Sequence, residues 1–131
     1  MAENSLNRIF LVEDDPDIQE IVLMTLKDLG GYAVDICSSG QEALDKIVGI
    51  QPDLILLDVM MPEMDGPTTL RAIRAMSEVK DTPVIFMTAR SQTHEVAEYM
   101  ELGAIDVIRK PFDPVTLCNQ IENIWDRYNA A

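Results

Sequence analysis

Basic residues are scarce in this chain: 10 Lys and Arg stand against 23 Asp and Glu, a formal net charge of −13. That imbalance repels phosphate backbones and anionic lipid, which argues against nucleic acid or membrane as a direct partner and favours basic protein surfaces or divalent cations. Cysteine is nearly missing too. Cys37 and Cys118 fall in no CxxC or Cys/His spacing, so both read as small buried hydrophobes rather than a disulfide or a metal site. The apolar runs are strand-sized, well short of the roughly 20 residues of a membrane span, and Met1 to Asn7 carries no basic and apolar signal pattern, so a cytoplasmic location is expected. The one histidine, His94, lies at a helix start among Gln92, Thr93 and Glu95 and reads as a solvated surface residue. No internal repeat or linker divides the 131 residues, which suit one hydrophobic core: a single domain over 1–131, its core at about 8–128, with no output domain after it.

What the chain does have is apolar runs that end on chemistry. Leu54-Ile55-Leu56-Leu57 shows no polar alternation, as in a strand covered on both faces, and stops at Asp58 before the breaker-rich Val59-Met60-Met61-Pro62-Glu63-Met64-Asp65-Gly66. Arg8 to Val12 runs likewise into Glu13-Asp14-Asp15, Tyr32 to Cys37 makes another strand, Pro83 to Met87 ends on Thr88, and Val107-Ile108 leads into Arg109-Lys110-Pro111-Phe112. Between them lie helical patterns: Ile18, Ile21, Val22, Leu26 and Leu29, capped by Asp15 with Pro16 and closed by Gly30-Gly31; Ala43, Leu44, Ile47 and Val48 after a Ser39 cap; Leu70, Ile73 and Met76 after Pro67; Val96, Ala97 and Met100 between a Thr93 cap and Gly103; and Leu117, Ile121, Ile124, Trp125 and Tyr128 after Asp113-Pro114. Strands alternating with helices through short connections specify an α/β fold, a parallel sheet with helices on both faces and right-handed crossovers.

The strand endings then define a site, because ligands of open α/β sheets bind at the carboxyl ends of the strands. One edge collects Asp14, Asp15 and Asp58 with Thr88 and Lys110. Close carboxylates repel unless a proton or cation intervenes, and hard oxygen donors point to Mg²⁺, or to Mn²⁺. Metal, ammonium and hydroxyl together suit a phosphoryl group, and Asp58, on the central strand, is the best nucleophile. Plainer roles serve the neighbours: Asp65-Gly66 as turn and helix cap, Met60, Met61 and Met64 as loop packing, and Glu95, Glu98 and Glu101 as a solvated face.

In these motifs, Val12-Glu13-Asp14-Asp15, Leu57 to Gly66, Met87-Thr88-Ala89-Arg90 and Gly103-Ala104 through Lys110-Pro111-Phe112, the sequence resembles the receiver domains of two-component response regulators, of the stand-alone kind similar to the chemotaxis regulator. The resemblance implies a doubly wound, flavodoxin-like sheet of five parallel strands in order 2-1-3-4-5 flanked by five helices. It also implies a signalling switch rather than an enzyme: Asp58 accepts a phosphoryl group from a histidine kinase or a phosphotransfer protein in a Mg²⁺-dependent reaction and thereby switches protein–protein interactions. By the same resemblance Asp15 holds the metal directly and Asp14 through water, with Asp58 and the Met60 carbonyl as further ligands; Lys110 pairs with Asp58 and then with its phosphoryl oxygens; Thr88 hydrogen-bonds the phosphoryl group; and Lys110-Pro111 is a cis peptide. Met60 and Arg90 occupy positions that tune the lifetime of the phosphoryl group, and phosphorylated receivers often form homodimers.

Val107 departs from the pattern, standing where receivers usually carry an aromatic switch residue, so the coupling from Thr88 to the face of the fourth helix, fifth strand and fifth helix is open. Two rival readings follow: a degenerate receiver that binds partners without phosphorylation, and a Mg²⁺-dependent phosphohydrolase with an aspartyl nucleophile. Against the latter, Met60 stands where such an enzyme keeps a second acid, and no cap segment is present to enclose a substrate.

Overall fold

The computed structural model describes residues 5–89 and 93–130, Thr93 in its backbone only. Strands and helices alternate as β1 (Arg8–Val12), α1 (Pro16–Leu23), β2 (Ala33–Cys37), α2 (Gly40–Ile50), β3 (Leu54–Asp58), α3 (Gly66–Arg74), β4 (Val84–Thr88), α4 (Thr93–Glu101), β5 (Asp106–Arg109) and α5 (Pro114–Ala130). The strands form one parallel sheet in the order β2-β1-β3-β4-β5, as the resemblance implies. This is the doubly wound, flavodoxin-like architecture that the sequence leads one to expect.

Why β3 and β4 stand inside the sheet is written in their side chains. All of Leu54–Asp58 and Val84–Thr88 are buried, and each fully buried large aliphatic contributes about 1.5–3 kcal/mol. Successive residues alternate between two cores. Phe10, Val12, Ile55, Leu57, Val84 and Phe86 meet Ala43 and Ile47 of α2 and Leu70 and Ile73 of α3. Ile9, Leu11, Leu54, Leu56, Ile85 and Met87 meet Val22 and Leu26 on one side and Leu117, Ile121 and Ile124 of α5 on the other.

The helix starts follow the expected capping chemistry. Asp15 accepts from the Asp17 amide, Ser39 from Glu42, Asp65 from Thr68, and Asp113 from Val115. Gly31 and Gly103 take positive φ at the ends of their helical segments, a region that costs glycine nothing. The Lys110–Pro111 peptide is cis.

Several expectations are corrected. The first helix does not stay α-helical to Gly30: Met24–Leu29 continue it as a π-helical segment, and Leu29 at its end is 72% exposed. Ile21 and Val48 are also exposed, at the margins of their stripes, as is Tyr128 near the end of α5. On α4 the buried side chain is Tyr99, while Met100 faces solvent. Met76 lies past the end of α3, though it still packs on the core. Cys37 is buried as expected, Cys118 is half-buried, and both are free thiols. The proposed Thr93 cap and Arg90 fall on a side chain and a residue outside the described set.

Candidate functional site

At the carboxyl edge of the sheet the ends of β1, β3, β4 and β5 surround a cleft of about 260 Å³. Register sets who faces whom. Asp58 pairs with Met87, which places Thr88 one step beyond it, and the Lys110 amide donates to the Thr88 carbonyl at 2.9 Å. Asp58 and Thr88 are almost fully buried, and both line the cleft with Lys110, Asp14, Asp15 and Met60.

The loop after Asp58 is held by its own geometry. The Val59 amide donates to Met87, and Gly66 donates back to the Val59 carbonyl at 2.9 Å. Gly66 is required there by space: a Cβ would stand 2.5 Å from the Asp58 carbonyl oxygen. Between them Glu63 has φ +68 and the Met64 amide reaches the Pro62 carbonyl at 2.7 Å, a γ-turn of the strained, positive-φ kind.

Lys110 is the electrostatic centre. Its Nζ lies 2.7 Å from Glu13 Oε1 and 3.0 Å from Asp58 Oδ1. Burial works against the ammonium, but the hydrogen bonds and charges of Glu13 and Asp58 outweigh it and raise the Lys110 pKa. Glu13 is 1% exposed, and burial pushes its carboxyl up to about 7; Lys110 and the Asp15 amide pull it down, and the Asp58 charge pushes it up. One ammonium thus faces more negative charge than it can balance. Oxygens of Glu13, Asp14 and Asp58 lie within 4.8 Å of one another, a hard-donor set that could hold a metal ion.

The arrangement differs in one member from the sequence-based set. Asp14, Asp58, Thr88 and Lys110 converge as expected, but the third carboxylate of the cluster is Glu13 and not Asp15. Asp15 lines the rim, and its Oδ1 is engaged with the Asp17 amide as the cap of α1. The signal was present: once Asp15 is assigned to the cap before Pro16, the adjacent acids that remain are Glu13 and Asp14. Asp65 is a cap as expected, and His94 is exposed. Met60 is 57% exposed at the mouth, Met61 is buried, and Met64 packs beside Gly40. Half-buried Val107 packs against the core that holds Phe86 and Tyr99.

Beside the acidic cleft, and sharing Ile18, Ala89 and Lys110 with it, lies an apolar one of about 380 Å³ completed by Ile21 of α1 with Pro111, Phe112 and Pro114. Exposed Ile21 thus borders the site and is no random leak of the core. No helix among the described residues is long and apolar enough to cross a membrane.

The sequence matches the profile of the response regulator receiver domain over residues 9–122. It is 33% identical over 123 residues to the response regulator Rre1 of Synechocystis, covering 94% of this chain and 53% of that protein. To the transcriptional regulatory protein DltR of Streptococcus agalactiae it is 39% identical over 114 residues, covering 87% and 50%. The chain thus spans about half the length of these curated relatives. Among solved structures, the chemotaxis response regulator CheY4 of Vibrio cholerae superposes with a TM-score of 0.85 at 32% identity, covering 92% of this chain and 99% of that one.

Proposed function

This chain belongs to the response regulator receiver domain family, and from that premise we propose that Asp58 is its phosphoacceptor. The donor is a phosphohistidine on a histidine kinase or phosphotransfer protein. An Asp58 carboxylate oxygen attacks phosphorus, the phosphorus–nitrogen bond breaks, and the imidazole leaves with the bonding pair and takes up a proton. Lys110, already 3.0 Å from Asp58, transfers its hydrogen bond to a phosphoryl oxygen, and Thr88, lining the same cleft, offers its hydroxyl to another.

Mg²⁺ fits the donor set. Asp14, Asp58 and the Met60 carbonyl would hold it, with Glu13 taking the place given to Asp15, and when bound it offsets the charge of the carboxylates and phosphoryl oxygens. The apolar cleft at Ile18, Ile21 and Phe112 adjoins Lys110 and suits an apolar patch beside the donor histidine. The product is a signalling switch that changes its protein partners, in a single receiver domain with a core at about 8–128 and a cytoplasmic location. Relatives such as DltR are named as transcriptional regulators; with a net charge of −13, this chain meets its output through protein and not by touching nucleic acid itself.

The observation that carries the reading is the meeting of Asp58 with Lys110, Thr88 and three further acids, Glu13, Asp14 and Asp15, in one cleft. The test is intact mass after incubation with Mg²⁺ and acetyl phosphate, wild type beside Asp58→Asn. One hydroxylamine-labile phosphoryl adduct in the wild type alone is expected; an adduct of equal yield on the variant overturns the assignment.

A further inference from the structure

Phe86 and Tyr99 pack as a tilted ring pair, centroids 5.2 Å apart with 59° between planes. Phe86 is fully buried in β4, two residues before Thr88. Tyr99 is 8% exposed and is the one buried side chain among the described residues of α4, so α4 leans on the sheet through this ring. On its other flank Phe86 reaches the acceptor: a Cβ on Gly66 would lie 3.1 Å from Phe86 Cε1 and 2.5 Å from the Asp58 carbonyl oxygen. Asp58 peptide, head of α3, Phe86 ring, Tyr99 ring and α4 therefore follow one another in contact. Protein interiors are packed too densely to absorb a shift in a void, so a displacement at one end of such a series must be taken up by the next member. Val107, Phe86's partner in the β4–β5 register, contributes only a small aliphatic group to this core.

We propose that the Phe86–Tyr99 ring pair transmits the state of Asp58 to α4: occupancy of the acceptor moves its peptide against Gly66, tilts Phe86, and re-seats α4 through Tyr99. The relay rests on the reading of Asp58 as acceptor. Tyr99 acts as a positioning residue, remote from the reacting atoms.

The test is the NMR response of the whole chain to Mg²⁺ with beryllium fluoride, a tetrahedral phosphoryl mimic. In the wild type, the Val59 and Gly66 amides, the Tyr99 ring and the α4 amides are all expected to shift. In Tyr99→Leu the Val59 and Gly66 response should persist while the α4 response falls by about threefold or more; Tyr99→Phe, which keeps the ring, should retain it. An undiminished α4 response in Tyr99→Leu, or a Tyr99 ring that stays fixed in the wild type, overturns the relay; the ring measurement decides even where the leucine variant does not fold. Silence at Val59 and Gly66 in the wild type is a different result, which removes the acceptor reading and the relay with it.

Discussion

The Lys110 ammonium stands 3.0 Å from an Asp58 carboxylate oxygen, joining two strand ends that lie 52 residues apart in sequence. Because Lys110 also holds Glu13 at 2.7 Å, it is the positive group common to the buried acids, and removing either end of the contact has a distinct consequence.

Asp58→Asn keeps the size of the side chain and removes its charge. The Lys110–Glu13 pair remains, so the fold should survive with a denaturation midpoint near that of the wild type while phosphorylation is lost. Circular dichroism beside intact mass checks both halves, and a folded variant that still gains a phosphoryl group sinks the assignment.

Lys110→Ala acts in the opposite sense. Glu13 and Asp58, 1% and 5% exposed in their side chains, lose their cation, and leaving buried carboxyl groups without it should cost about 2–3 kcal/mol. Urea unfolding in EDTA at neutral pH measures this. A loss below about 0.5 kcal/mol, the usual range for a surface substitution, would show that the pair is solvated and not buried.

Two glycines should respond oppositely to alanine. At Gly66 the new Cβ meets backbone, the Asp58 oxygen at 2.5 Å and Val59 Cα at 2.9 Å, and the overpacking should destabilise by about 1–3 kcal/mol. At Gly49, inside α2 with nothing within 4 Å, the same change should stabilise by about 0.5–1 kcal/mol through helix propensity. Equal midpoints for the two variants in urea would contradict the close approach of α3 to Asp58.

Burial, with a smaller push from Glu42, drives the Cys37 thiol up to about 12 from an ordinary value of 9. Native protein should therefore resist iodoacetamide at Cys37 at mildly alkaline pH, whereas chain unfolded in guanidinium should be alkylated at once; fast native labelling at Cys37 would refute its burial. The linkage sign follows. The folded state favours the neutral thiol, so this contribution to stability is intact below 9 and declines as pH rises from 9 towards 12, which a series of melting temperatures across that window would reveal.

Most of the fold was legible because a parallel sheet buries both faces of its strands, and Leu54 to Leu57 or Val84 to Met87 can hardly be anything else. The caps were legible for an equally local reason: Asp15, Ser39, Asp65 and Asp113 each act within a few residues of themselves. Glu13 was missed because its partner is 97 residues away, and nothing beside it in sequence says that Lys110 will neutralise it in the interior. Tyr99 escaped because aliphatic spacing on α4 pointed to Val96, Ala97 and Met100, while the side that is buried is decided by Phe86 on another strand. The π-helical turn at Met24–Leu29 has no signature in its composition, which is that of an ordinary amphipathic helix.

The strand order has a consequence for the birth of the molecule. No two sheet neighbours are joined by a hairpin; each pairing waits for an intervening helix, and β1 is flanked by β2 and β3, both made after it. The cleft draws on residues from Glu13 to Lys110, so a nascent chain lacks its counter-charge until β5 has left the ribosome and docked. A half-synthesised copy therefore has Asp58 but no Lys110 beside it, and the acids of the cleft gain their shared cation only on completion of the sheet.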